Sequence, residues 1–120
     1  MKTAIILLGH GSRAIDGNTA LSDMARIVQG LSGTEITAAY LQFCEPSLTG
    51  SIEGAVESGA GKIVVVPYFL YSGNHVTQDI PGELDALRTK HPAVEIVLTE
   101  HLGAHDKLAE IVMERINSII

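Results

Sequence analysis

Cysteine, tryptophan and positive charge are all scarce in this sequence, and each shortage removes a class of function. One cysteine, Cys44, leaves no intrachain disulfide to form and suits a reducing compartment such as the cytoplasm. Tryptophan is absent, and two Phe and three Tyr are too few for a surface that stacks nucleic-acid bases. Eight Lys and Arg against fourteen Asp and Glu give a net charge of −6, opposite in sign to the basic field that nucleic acid or a membrane surface requires. No apolar run approaches the roughly 20 residues of a membrane span. Residues 4–8, after Lys2, form a run shorter than the apolar core of a signal peptide. Three chemistries are missing as motifs: there is no G-x-S-x-G elbow, no Walker A loop and no C-x-x-C pair. Gly9-His10-Gly11 is not a dinucleotide fingerprint either, because position 14 is Ala. Linkers, low-complexity tracts and internal repeats are absent too, so residues 1–120 are expected to form one domain with one core.

What is present is a regular alternation of strand and helix signals. Ala4-Ile5-Ile6-Leu7-Leu8 has no polar alternation, which predicts a strand over about 2–8 that is covered on both faces. Ala20, Leu21, Met24, Ile27, Val28 and Leu31 recur at helical spacing and predict a helix over about 16–31, ended by Ser32-Gly33. A weaker, more alternating strand over 35–41 suits a sheet edge. Ser47 is placed to cap a helix over 48–58. Ile63-Val64-Val65-Val66 is the most β-prone run and predicts a central strand at 62–66. Asp79 is expected to cap the next helix, with Pro81 in its first turn and an end near Lys90. A strand at 94–98 and a helix at 104–119 complete the chain, the latter with Leu108, Ile111, Val112, Ile116 and Ile119 on one face.

This alternation implies an α/β fold: a four-stranded parallel sheet in the order 2-1-3-4, with helices on both faces. Strands 1 and 3 then lie side by side with their helices on opposite faces, a topological switch point where ligands bind at the carboxyl ends. His10, between two glycines, follows strand 1, and His75 lies in the connection after strand 3. Both are therefore expected at one crevice, where neutral imidazoles suit a divalent first-row metal. Two ligands fall short of a structural zinc site and would hold a metal loosely, as suits handing it on. Glu45 could reach the same rim, although a solvated loop carboxylate or a helix-dipole partner accounts for it equally well. Ser12 and Arg13 could bind an anion with the turn's amides, or cap the following segment. Cys44 reads as a small core hydrophobe, His91 as a loop residue, and His101 and His105 as exposed, with a secondary metal contact the lesser alternative.

Several of these residues fall into a pattern. Leu8-Gly9-His10-Gly11-Ser12-Arg13, Phe43-Cys44-Glu45-Pro46-Ser47, Val64-Val65-Val66-Pro67-Tyr68-Phe69-Leu70, Gly73-Asn74-His75-Val76, Asp79-Ile80-Pro81 and His101-Leu102-Gly103 together resemble the small CbiX-type sirohydrochlorin chelatases, the short class II chelatases. The likeness spans essentially the whole chain. It implies a flavodoxin-like chelatase half-unit that inserts a divalent metal into the tetrapyrrole sirohydrochlorin: Co²⁺ in cobalamin biosynthesis, with Ni²⁺ or Fe²⁺ as alternatives on the coenzyme F430 or siroheme branch. His10 and His75 map onto the family's paired metal-binding, proton-accepting histidines, and Glu45 onto its catalytic acidic residue. Longer relatives carry two such units, so the resemblance implies a homodimer here. It implies no ATP and no redox cofactor, the metal being a substrate. Because ligating histidines must be neutral, it also implies activity that falls on acidification. The histidine-rich tract of some relatives is missing. Two other readings remain: a metal- or tetrapyrrole-binding protein without turnover, and a flavodoxin-like module holding a phosphate-bearing ligand at residues 9–13.

Overall fold

The computed structural model describes residues 2–71 and 73–120, the side chains of 15 and 74–77 excepted. Four strands, β1 (Thr3–Gly9), β2 (Ile36–Tyr40), β3 (Lys62–Pro67) and β4 (Glu95–Leu98), alternate with four helices, α1 (Ile15–Ser32), α2 (Leu48–Glu57), α3 (Asn74–Lys90) and α4 (Asp106–Asn117). All the strand pairings are parallel and the order is β2-β1-β3-β4, as the alternation predicts. The unbroken apolar run of β1 takes the inner position, Leu7 lying between Ala38 of β2 and Val66 of β3. The more polar β2 lies at the edge.

The period-two alternation of each strand divides its side chains between two layers. Ile6, Leu8, Ile63, Val65 and Ile96 pack with Leu48 and Ile52 of α2 and with Ile80, Leu84 and Leu87 of α3. Fully burying one such side chain is worth about 1.5–3 kcal/mol, so this layer supplies most of the driving force. The opposite layer is thinner: Leu7, Ile36 and Tyr40 pack with Leu21 and Ala25 of α1. On that side Val64 and Val97 stay half-buried and belong to neither cluster.

The cause is the position of α4. No residue of α4 is buried, and Ile111, Val112, Met113 and Ile116 are 43–57% exposed. The helix therefore does not return over β3 and β4. The molecule measures 54 × 33 × 27 Å with a radius of gyration of 15.3 Å, against about 13.6 Å for a compact chain of this length.

Two local expectations need correction. Helix α3 begins at Asn74 with Gly73 as its N-cap residue, so Asp79 is an exposed residue inside the helix and not its cap. Pro81 lies in the helix interior, where it lacks the N–H that would bond the carbonyl four residues back. The apolar stripe Ile80, Leu84, Leu87 anchors the helix from Ile80 onward. The turns before it lack the apolar spacing that would announce them. Secondly, α4 starts at Asp106, capped by His105, whose Nδ1 accepts the N–H of Lys107 at 3.0 Å. Ser47 caps α2 as expected, its hydroxyl accepting the N–H of Gly50 at 3.0 Å.

Candidate active site

His10 is the first residue beyond β1, and the structure fixes its main chain before its side chain. The N–H of Leu41 donates to the Gly9 carbonyl at 3.0 Å and that of Gln42 to the His10 carbonyl at 3.1 Å. These bonds prolong the β1–β2 ladder past the end of β2. The chain then crosses so tightly that a Cβ on Gly11 would lie 1.8 Å from the Gln42 carbonyl oxygen, and Gly11 has φ +88°. Only glycine fits. On the other flank, the N–H of Tyr68 donates to the Leu8 carbonyl at 2.7 Å, drawing the segment after β3 alongside. That brings Phe69, 4% exposed, beneath the exposed His10 ring: the centroids are 4.2 Å apart and the planes tilted by 43°. The imidazole is thus solvent-accessible on a rigid base.

The turn after His10 is built by its own side chains. The Ser12 N–H donates to Asn18 Oδ1 at 2.9 Å, Asn18 Nδ2 donates to the Ser12 carbonyl at 2.8 Å, and the Ser12 hydroxyl accepts the Ala14 N–H at 3.0 Å. The Ser12 amide and hydroxyl oxygen thus both take part in the turn. The Arg13 guanidinium lies 4.8 Å over the ring of Phe43, which is 54% exposed and holds φ +68°, unusual for an aromatic residue. Leu70 and Tyr71, 54% and 82% exposed, add apolar surface in the segment after β3. Sequence reasoning assigned no site role to Phe43 or Phe69. Their contacts join segments distant in the chain, and the available signal was only that each aromatic follows the end of a strand.

Glu45 is exposed and lines a groove of about 430 Å³ between α1 and the β2–α2 connection, with Asn18, Ser22, Tyr40 and Cys44 among its walls and His10 outside it. The Tyr40 hydroxyl donates to the Asn18 carbonyl at 2.9 Å. Cys44 is half-buried against the thinner core, its Sγ donating to the Glu45 carbonyl at 3.4 Å, which suits a core hydrophobe. His75 is the second residue of α3, which follows β3 at the same edge of the sheet as His10. Its side chain lies outside the described residues, and so does the expected meeting of the two imidazoles. Among the described residues no three His, Cys, Asp or Glu side chains gather to hold a metal ion.

His101 is half-buried and not exposed, in a loop whose Leu102 and Gly103 N–H groups reach the Phe69 carbonyl at 3.0 and 3.4 Å. His91 lies away from this edge, at the C-terminus of α3, where its Nε2 is 2.9 Å from Glu53 Oε1. Lys90 Nζ is 3.2 Å from the same oxygen. His91 first and Lys90 second hold the Glu53 carboxyl below the usual carboxylate range. A separate cavity of about 310 Å³ opens beside the amino-terminal half of β1, lined by Lys2, Glu35 and Ser51 among others. The buried Ser51 hydroxyl has no hydrogen-bond partner among the described residues. No helix among the described residues is long and apolar enough to cross a membrane.

Comparison with known proteins places this geometry. The sequence is 33% identical over 138 residues to the sirohydrochlorin cobaltochelatase of Methanopyrus kandleri, covering 98% of this chain and 96% of that protein. It is 30% identical over 115 residues to the sirohydrochlorin ferrochelatase of Priestia megaterium, covering 95% of this chain but only 43% of the relative. The fold matches the sirohydrochlorin chelatase SirB of Bacillus subtilis subspecies spizizenii, solved with cobalt, at a TM-score of 0.91 and 27% identity; 99% of this chain lies on 51% of that one. The sequence model of CbiX matches residues 4–119, and the chain belongs to the CbiX family.

Proposed function

We propose that this protein is a sirohydrochlorin chelatase that inserts Co²⁺ into the macrocycle. The observation that carries the reading is the presentation of His10: a main chain clamped by β2, a ring seated on buried Phe69, and an accessible imidazole at the carboxyl edge. Insertion replaces two pyrrolic protons by one divalent ion, so the site must hold a partly desolvated metal and accept two protons. His10 and His75 serve as ligands and proton acceptors, and Glu45, at the outer rim, as the carboxylate acceptor. Exposed Phe43, Leu70 and Tyr71 offer apolar surface to a flat tetrapyrrole, while Arg13 offers a cation to its carboxylates. The choice of cobalt follows the cobaltochelatase of Methanopyrus, 33% identical over nearly the whole of both chains, although the ferrochelatase of Priestia is 30% identical to the same stretch.

The working unit in this proposal is a homodimer. The exposed apolar face of α4 and the half-covered β3–β4 face of the sheet are both left open within one chain, and the proposal assigns them to a second copy. The test of the activity is absorbance of purified protein with sirohydrochlorin and Co²⁺, Fe²⁺ or Ni²⁺ in turn, against the uncatalysed rate. Acceleration greatest with Co²⁺, abolished in His10→Ala and in His75→Ala with the circular dichroism unchanged, is the expected result. Stoichiometric binding without acceleration by any metal would leave a carrier in place of an enzyme.

A further inference from the structure

We infer that Phe69 is a positioning residue for His10 and couples it to the β4–α4 connection. The inference rests on the reading of His10 as the site histidine. An imidazole on a chain end ordinarily rotates about two side-chain bonds, and its nitrogen lone pair sweeps with it. Here the ring lies against a tilted aromatic ring that is itself held in place, because Phe69 is 4% exposed and packs within the larger core cluster. Fixing the plane of the imidazole fixes the direction of the lone pair that would meet a metal. The support continues outward from Phe69. Its carbonyl receives the N–H groups of Leu102 at 3.0 Å and Gly103 at 3.4 Å. Gly103 has φ +60°, and a Cβ there would sit 3.5 Å from His101 Nε2. One residue therefore backs His10 with its ring and gathers the 101–103 loop with its carbonyl.

Ring position and metal handling can be read separately. In wild type, the His10 ring protons should be shifted by the Phe69 ring current in the NMR spectrum of the metal-free protein. Phe69→Leu keeps an apolar side chain in the core and removes the ring, so the fold should persist by circular dichroism. The expected results are that the His10 ring signals move and broaden, and that KM for the metal rises about tenfold while kcat stays within about twofold. Gly103→Ala, which strains the loop without touching His10, should move the same signals. Loss of the ring current moves the His10 signals in any case, so the metal KM decides: should Phe69→Leu leave it as in wild type, the positioning role is lost and Phe69 is core packing alone. Unmoved signals in Gly103→Ala remove the coupling to the loop. Failure of the chelatase reading looks different: His10→Ala would keep its insertion rate, while the effect of Phe69→Leu on the His10 signals would remain.

Discussion

An alanine at position 11 would need its Cβ within 1.8 Å of the Gln42 carbonyl oxygen at φ +88°. Neither chain can give way without breaking the bond between Gln42 and His10 that anchors the site. Gly11→Ala should therefore cost at least about 2 kcal/mol in urea unfolding and remove metal insertion along with it. Phe43 poses the converse case, a bulky and half-exposed residue at φ +68°, where only glycine is at ease. The Arg13 guanidinium lies over its ring. If Arg13 addresses the macrocycle's carboxylates and not the ion, as proposed, Arg13→Ala should raise KM for sirohydrochlorin several-fold and leave KM for the metal unchanged. Equal changes in both constants would count against that division of labour.

Between α2 and α3 the contact is electrostatic at its edge. Lys90 and His91, at the end of α3, meet Glu53 of α2, and the Glu53 carboxyl binds its proton more weakly in the folded chain than unfolded. A group of that kind contributes stability above its unfolded pKa, and the contribution disappears as pH falls through the lower, folded value. Unfolding curves of wild type and Glu53→Gln should differ at neutral pH and converge as the pH drops below the ordinary carboxylate range. At the other end of α2, Ser47→Ala should cost about 1 kcal/mol by loss of the cap. The strands, the sheet order and this cap were legible in the sequence because each is written locally: an unbroken apolar run, a β-branched run, a serine after Glu45-Pro46. The start of α3 was not, since its first turns carry no apolar stripe and Pro81 imitates a helix beginning. The tight turn that carries His10 was legible from its glycines. The ring beneath it was not, because the contact between residues 10 and 69 exists only once β1 and β3 are paired.

For the whole molecule, the helix without a buried residue matters most. If α4 packs on a second copy, Ile111→Asp and Ile116→Asp should shift the protein from dimer to monomer in sedimentation velocity. The melting of the remaining secondary structure should change little, because α4 contributes nothing to either core. A monomeric wild type at micromolar concentration would overturn the dimer. The 54 Å axis of one chain also carries a frictional consequence. Two elongated particles that join by laying their protrusions on each other form a rounder body than either alone. The frictional ratio should then fall on association, whereas end-to-end assembly would raise it. A dilution series can distinguish mutual clasping from chain growth without any label.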